Sequence, residues 1–292
     1  MYPIPIEIWQ QIFSFSTFKN QIRLTQTSKT FHHKLQMHDF YHIDEKYLKL
    51  LTNDILTHYP FVRFLDVSQN KNITNINHLT RLVKLNAGYK SVVDNCGISQ
   101  LNLIELDVWD NPKITNINHM TQLTKLDASD NCGLDNHGIS QLNLIELDVS
   151  DNPKIRNINH LTQLAKLHAG GNCGLDDHGI SQLNLIELDV EDNPNITNIN
   201  HMIQLAKLDA GVGSGLNDHG ISRLNLIELD VTGNPKITNI NHMTQLSKLC
   251  AGGKCGLDDH GISQLNLIEL NVIDNPKITN INHMTQLAKL FF

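Results

Sequence analysis

The sequence predicts an α/β solenoid: a curved rod of stacked coils with a parallel sheet along its concave side, preceded by a small helical subdomain. Three observations carry this reading. Pro112, Pro153, Pro194, Pro235 and Pro276 recur with a period of 41 residues. Within that period, leucines from Leu65 to Leu290 step by alternating intervals of 20 and 21 residues. Residues 1–43 show neither period and are rich instead in aromatic and β-branched side chains. A coil of about twenty residues cannot bury its own apolar side, so neighbouring coils stack and share one core. The chain divides into a helical subdomain (1–43), a linker that caps the solenoid (44–61) and the solenoid itself (62–292).

In the first segment, "IPIEIWQQIFSFSTFKNQIRLTQTSKTFHHKL" places Pro5 where a helix begins. Ile8, Trp9, Ile12 and Phe13 follow at helical spacing, Ile22 and Leu24 lie in a second short helix, and Phe31 with Leu35 in a third. This apolar surface exceeds what about forty residues can hide, which implies a partner. In the linker, Asp44 reads as the cap of one amphipathic helix, Leu48, Leu51 and Ile55 as its apolar stripe, and Pro60 as its stop. That helix is expected to seal the open end of the first coil.

Each coil carries Leu-x-x-Leu-x-(Val/Ala)-x-x-Asn, as in Leu144, Leu147, Val149 and Asn152. Leu147 and Val149 alternate with outward residues, as a short strand requires. Ile155, Ile158, Leu161 and Leu164 step by three, which suits a tight helical or 3₁₀-like return path on the convex side. An asparagine ends the strand, where its amide satisfies backbone groups left unpaired by the turn. The column reads Asn70, Asn111, Asn131, Asn152, Asn172, Asn193, Asn234 and Asn275, and lapses at Lys90, Gly213 and Lys254. Looser coils are expected at the lapses. The pattern resembles the leucine-rich repeat over roughly residues 62–292.

Three outward columns follow from this register. The first alternates Lys84, Glu105, Lys125, Glu146, Lys166, Glu187, Lys207, Glu228, Lys248, Glu269 and Lys289. Opposite charges on adjacent strands make it a register device, since a slip by one coil would oppose like charges. The second column contains Asp66, Asn86, Asp107, Asp127, Asp148, His168, Asp189, Asp209, Asp230, Cys250 and Asn271. It reads as a solvated face partly neutralised by the lysines or as an acidic strip that meets a basic partner; the third reading, carboxylates paired for acid–base catalysis, is weakest because a uniform row shows no division between acid and base. The third column varies: Ser68, Gly88, Trp109, Ser129, Ser150, Gly170, Glu191, Gly211, Thr232, Gly252 and Ile273. Its small residues are expected to form shallow pockets between larger ones. The candidate partner-binding residues are the aspartates from Asp107 onward, His168, Trp109, Ser150, Glu191, Thr232 and Ile273, together with Tyr89. Trp109 and Tyr89 are the first choices as anchors.

The formal charge is −7, and the deficit lies beyond residue 45, where 26 acidic face 19 basic residues. Such a body repels phosphate backbones, which argues against nucleic acid as the main ligand. No run of about 18 apolar residues is present to span a bilayer, and no signal peptide precedes the helices. Five cysteines without metal-like spacing indicate reduced thiols and a cytoplasmic or nuclear setting. His78, His119, His160, His201, His242 and His283 form one column, and His137, His178, His219 and His260 another. Members of a column lie two coils, about 10 Å, apart, too far to share a zinc ion, so both read as structural, half-buried convex positions. No metal, cofactor or catalytic residue is expected. The chain stops at "LAKLFF" inside a strand, which predicts fraying or end-to-end self-association there.

The first segment also resembles the F-box, carried by Ile4, Pro5, Glu7 and Ile8, then Ile12, Phe13, Ser14 and Phe15, then Thr27, Ser28, Lys29 and Phe31. It departs from that motif at Ile4, Ser16, Ser28 and Phe31, where Leu, Leu, Cys and Trp are usual. The resemblance implies docking to a Skp1-like adaptor of a cullin–RING ubiquitin ligase. The docking residues would be Ile4, Pro5, Glu7, Ile8, Trp9, Ile12 and Phe13, with Ile22, Leu24 and Phe31 in support. The whole is similar to F-box/leucine-rich-repeat proteins, which implies a non-enzymatic substrate-recognition subunit whose concave face binds a target with a basic surface. The alternative is an interaction scaffold, or a decoy, uncoupled from ubiquitination.

Overall fold

The β-branched and leucine positions of each coil produce one short strand per coil, and the coils stack in chain order. The computed structural model describes residues 5–14, 16–41 and 43–292; Ile4 and Phe15 of the N-terminal motif lie outside these. Helices α1 (Ile6–Ser14), α2 (Phe18–Thr27) and α3 (Lys29–Lys34) are followed by β1 (Asp39–Phe40), α4 (Glu45–Leu48) and α5 (Asn53–Thr57). The solenoid strands are β2 (Phe64–Asp66), β3 (Lys84–Asn86), β4 (Glu105–Asp107), β5 (Lys125–Asp127), β6 (Glu146–Asp148), β7 (Lys166–His168) and β8 (Glu187–Asp189). They continue as β9 (Lys207–Asp209), β10 (Glu228–Asp230), β11 (Lys248–Cys250), β12 (Glu269–Asn271) and β13 (Lys289–Phe291). Among the described residues these form one 13-stranded sheet in sequential order, and every pairing is parallel.

The register is the one expected. Leu106 pairs with Leu85 and Leu126, and Glu105 with Lys84 and Lys125. The central leucines from Leu65 to Leu270 are buried, as are the Val or Ala residues two positions on. The outward ladder closes as ion pairs: Lys84–Glu105 at 3.0 Å, Lys125–Glu146 at 2.7 Å, Lys166–Glu187 at 3.4 Å, and Lys207 at 3.6 Å from both Glu187 and Glu228. Lys248 and Lys289 flank Glu269 at 3.7 and 3.1 Å. These pairs are half exposed, so Lys125→Glu is expected to cost only about 1 kcal/mol at low salt, with most of the loss disappearing near 1 M salt. Thermal unfolding at the two ionic strengths checks this.

The structure corrects four expectations. First, the return path is a succession of separate turns, with Leu161 N–H bonded to Ile158 O and Leu164 N–H to Leu161 O, both at 3.0 Å, and no 3₁₀ helix between them. N–H groups ahead of these turns bond instead to the preceding coil: Arg156 N–H reaches Asn136 Oδ1 at 2.7 Å, and Thr197 N–H, at the equivalent place of its own coil, reaches Asp177 Oδ1 at 2.7 Å. Only α6 (Asn95–Ile98) forms a helical turn within the solenoid.

Second, the linker is two helical turns rather than one helix. Thr52 accepts from Ile55 N–H at 3.2 Å and starts α5 afresh, and the buried position falls on Leu56, while Ile55 is 38% exposed. The break frees the carbonyls of Leu48 and Leu51 to accept from Asn70 Nδ2 at 2.6 and 3.1 Å, which is how the linker seals the first coil. No repeat pattern in the sequence marks β1. This strand adds Phe40, buried against Tyr59 at 5.1 Å between ring centroids, to the edge of the sheet, so the helical subdomain runs directly into the solenoid.

Third, the buried asparagines number one per 41 residues: Asn70, Asn111, Asn152, Asn193, Asn234 and Asn275. Asn131 and Asn172 are exposed. The longer coil of each pair places its extra residue there, and the buried position shifts by one to Ser91, Cys132, Cys173, Ser214 or Cys255. In the cysteine coils the sulfur accepts the N–H two residues on, as at Cys132 (3.4 Å). The lapses at Lys90, Gly213 and Lys254 therefore leave no gap, and the expected loosening has no structural basis.

Fourth, the second-column histidines are exposed rather than half-buried, and so are those of the first. Their rings still clamp the preceding coil, since a carbonyl can only accept: Nε2 of His119, His160, His201, His242 and His283 donates to a backbone oxygen at 3.1–3.3 Å.

Candidate binding surfaces

Two surfaces hold the candidate residues. On α1, Pro5 O accepts from the N–H groups of Ile8 and Trp9, and the helix turns Phe13 inward to 1% exposure. Trp9 packs on Phe31 with centroids 5.0 Å apart and planes at 54°. Ile22 and Leu24 are partly buried against the same core. Ile8 and Ile12, one helical turn apart, are each 44% exposed, with Pro5 and Glu7 beside them. The candidate docking set thus splits. Pro5, Glu7, Ile8 and Ile12 face outward, and Trp9 with Phe31 forms their partly buried footing. Phe13 is a core residue, which corrects its assignment to the docking face.

Sequence reading missed the glutamines that brace this subdomain. Gln21, buried, donates to Phe13 O (2.9 Å) and Ser16 O (3.1 Å) across the α1–α2 turn. Gln10 donates to Gln36 O at 2.9 Å and accepts from Gln36 N–H at 2.8 Å, tying α1 to the segment that enters β1. No sequence periodicity marks them.

On the concave face the register brings Asp107, Asp127 and Asp148 into one file of adjacent strands. Each carboxylate also has a local task that the sequence reading overlooked. Asp66, Asp107, Asp127, Asp148, Asp189, Asp209 and Asp230 all accept the backbone N–H two residues ahead, at 2.7–3.2 Å. Asn86 and Asn271 do the same without charge, at 2.9 and 3.1 Å. The file is therefore first a row of side-chain turns that ends each strand. His168 departs from it: its Nδ1 lies 3.3 Å from Asp189 Oδ2.

Crowding and partial burial shift these groups. Burial, then the neighbouring Asp127, pushes Asp107 up to about 7; burial, then Asp230, pushes Asp209 to about 7. Burial also raises Asp66 and Asp127. The Asp189 hydrogen bond raises His168. Burial alone would raise Asp189, but its bonds to His168 and to the Glu191 N–H hold it below the usual carboxylate range.

A raised carboxyl pKa means that the folded state holds its proton more tightly than the unfolded chain. Stability from Asp107 and Asp209 is thus full below their ordinary value near 4 and is lost as pH rises through about 7. His168 has the same sign and loses its contribution as pH rises through its raised value. Unfolding temperature is expected to fall from pH 5 to pH 8. The double variant Asp107→Asn/Asp209→Asn, which keeps the turn bond as Asn86 does, should be more stable than the native chain by roughly 1–3 kcal/mol at pH 8, and indistinguishable from it near pH 4. Thermal melts across that range check it.

The glycines of the variable column do not open deep pockets. A Cβ on Gly88 would lie 2.5 Å from Cδ1 of Trp109, and one on Gly170 or Gly252 would meet the backbone oxygen of Glu191 or Ile273 at 2.8 or 2.7 Å. These glycines permit close approach of the next coil, and Trp109 fills the space above Gly88. Tyr89 stacks on Trp109, with centroids 5.0 Å apart and planes within 4°, and Lys90 Nζ lies 4.4 Å from the Tyr89 ring. Ser150 is half-buried, while Glu191, Thr232 and Ile273 are exposed. Trp109 and Ile273 stand eight strands apart, about 38 Å, so the candidate set divides into separate regions. The second region holds a cavity of about 290 Å³ lined by His168, Asp189, Asp209, Asp230 and Cys250 with the ladder residues beside them.

Among the described residues no group of three or more His, Cys, Asp or Glu is placed to hold a metal ion, and no helix is long and apolar enough to cross a membrane.

A family model of the F-box domain matches residues 3–43. No curated protein matches the chain. Among solved structures, the chain is similar to a TLR13–ssRNA13 complex (TM-score 0.54, 21% identity), covering 92% of this chain and 48% of that one. It also matches the functional domain of InlJ from Listeria monocytogenes, which includes a cysteine ladder (0.38, 18%; 90% and 54%), and the Rad7–Elc1 complex of yeast (0.40, 15%; 98% and 90%). The chain spans about half the length of the first two. The first likeness is one of fold: a leucine-rich-repeat solenoid.

Proposed function

We propose, from the premise that this chain is an F-box domain followed by a leucine-rich-repeat solenoid, that it is the substrate-recognition subunit of a cullin–RING ubiquitin ligase. The observation that carries the reading is the F-box match at residues 3–43, whose last residues pass through β1 into the solenoid sheet. In this reading the outward Ile8–Ile12 face of α1 docks a Skp1-like adaptor, which brings the cullin. The concave face holds a protein target, and the chain performs no chemistry itself. Continuity of the sheet from β1 onward supports a stiff connection, which would keep a bound target at a set distance from the ligase's E2 enzyme.

The acidic balance beyond residue 45 and the aspartate file favour a target with a basic surface over a nucleic acid. The test is affinity purification of the full chain from its native cell, with an Ile8→Asp/Ile12→Asp variant as control. A Skp1-like adaptor and a cullin should co-purify with the native chain alone. Recovery of a target without adaptor or cullin would replace this reading with that of a scaffold.

A further inference from the structure

Between β4 and β8 the variable column sets three small residues between two large ones, a shallow trough in side-chain size. Trp109 stands at one end and Glu191 at the other, four strand spacings or about 19 Å apart, with Ser129, Ser150 and Gly170 as the floor. The indole is held in orientation by the Tyr89 stack and by the absence of a side chain at Gly88, yet it remains partly exposed. It therefore presents a rigid aromatic surface in place before any partner arrives.

The trough is flanked on both sides by carboxylates. Asp107, Asp127 and Asp148 line the inner side and are tied into their turns. Asp110, Asp130 and Asp151 line the outer side, in left-handed backbone with φ of 51°, 58° and 55°. The corresponding position is glycine at Gly171, Gly233 and Gly253, which the turn accepts without strain. Asp151 accepts from Asn172 N–H at 2.9 Å. Among the described residues the backbone N–H groups of Asp110 and Asp130 bond to Ser129 O and Ser150 O at 3.3 and 2.8 Å, while their carboxylates have no hydrogen-bond or ion-pair partner. Burial and then Asp151, Asp110 and Asp148 push Asp130 above its ordinary value, so the two rows act as one field. The lysines on these strands, Lys125 and Lys166, are occupied by Glu146 at 2.7 Å and Glu187 at 3.4 Å, and among the described residues Lys90, over the Tyr89 ring, is the one cation placed beside the Trp109 end.

We infer that this trough docks a short extended segment of a partner protein that carries two or more arginines, one stacked on Trp109 and another paired with the outer aspartates. The inference rests on reading the concave face as the target-binding surface. Three features of the site select this occupant. Its net negative charge, with the ladder already self-paired, calls for cations. An aromatic plane beside carboxylates suits a planar guanidinium, which stacks and pairs bidentately, better than a compact ammonium. A length of about 19 Å matches roughly six extended residues. A polyanion would be repelled by the same groups.

The test uses the purified full chain and fluorescein-labelled hexa-arginine and hexa-lysine peptides, with anisotropy read at pH 8, above the raised value of Asp107, and at about 150 mM salt. Hexa-arginine should bind at least about five-fold more tightly than hexa-lysine, and Trp109→Ala should remove that preference. Asp130→Asn/Asp151→Asn should weaken both peptides about ten-fold, whereas Asp218→Asn on the return path should change neither. Trp109→Leu, which keeps apolar bulk above Gly88, serves if the alanine variant unfolds, and should also erase the arginine preference. Equal binding of the two peptides, or native affinity in the Trp109 and aspartate variants, overturns the inference by reducing it to diffuse charge attraction. The assay contains no ligase component. Arginine-selective binding without adaptor capture would remove the ligase role and leave the trough; adaptor capture without arginine selectivity would do the reverse.

Discussion

Asn152→Ala is expected to lower the stability of the solenoid by about 3–5 kcal/mol, whereas Asn131→Ala, one coil earlier in what looks like the same column, should cost less than about 0.5 kcal/mol. Asn152 is fully buried. Its Nδ2 donates to Ala128 O at 2.8 Å and Leu134 O at 3.4 Å in the preceding coil, and its Oδ1 accepts from Lys154 N–H at 2.9 Å. Alanine would strand two carbonyls and one N–H where water does not reach, and each such orphan costs about 1–3 kcal/mol. Asn131 is exposed, and the buried position of its coil belongs to Cys132. Denaturant midpoints compared at constant slope provide the measurement. Equal losses for the two variants would show that the six buried asparagines do not have the coil-bridging role described above.

The second large effect separates docking from folding on α1. Phe13→Ala should cost about 3–4 kcal/mol by leaving a cavity beneath the helix, visible as an early unfolding of the N-terminal subdomain. Ile8→Asp/Ile12→Asp should leave the unfolding temperature within a few degrees of native, because both side chains are 44% exposed, yet abolish capture of a Skp1-like adaptor. A charged pair at the centre of an apolar contact strands uncompensated charge in the complex but meets only water in the free chain. Adaptor capture that survives the double substitution would place the docking face elsewhere on the chain.

Much of the architecture is legible in the order of the residues. The repeat of 41 residues set the number of coils, their direction of stacking and the pairing of Glu105 with Lys84 and Lys125. The short strand β1 was hidden because Phe40 belongs to the non-repeating segment and its pairing partner, Leu65, is twenty-five positions away. The linker helix looked continuous because Leu48, Leu51 and Ile55 keep a helical spacing. It breaks because Asn70 takes the carbonyls of Leu48 and Leu51, a demand made by a residue outside the segment.

The candidate sites were legible in position and less so in role. Trp109 and Tyr89 were marked as anchors by their chemistry, but their stacking, and the glycine beneath them, emerged only when adjacent coils were in register. The aspartate file was visible as a charge pattern. Its turn-forming bonds to the N–H two residues on are local and were open to inference from the recurrence of Asp or Asn at the end of each strand, as Asn86 and Asn271 at the same place suggest.

By itself the sequence determined the periodicity, the inward and outward faces of every strand and the alternation of charge along the ladder. All of these follow from residue order and the fixed geometry of an extended chain. Only the tertiary structure decided which asparagines are buried, that Phe13 turns inward while Ile8 and Ile12 turn out, and that Asp107 and Asp209 titrate near neutral pH. The reason is that desolvation and like-charge repulsion depend on distances between side chains about twenty residues apart. Those distances do not exist until the coils have stacked.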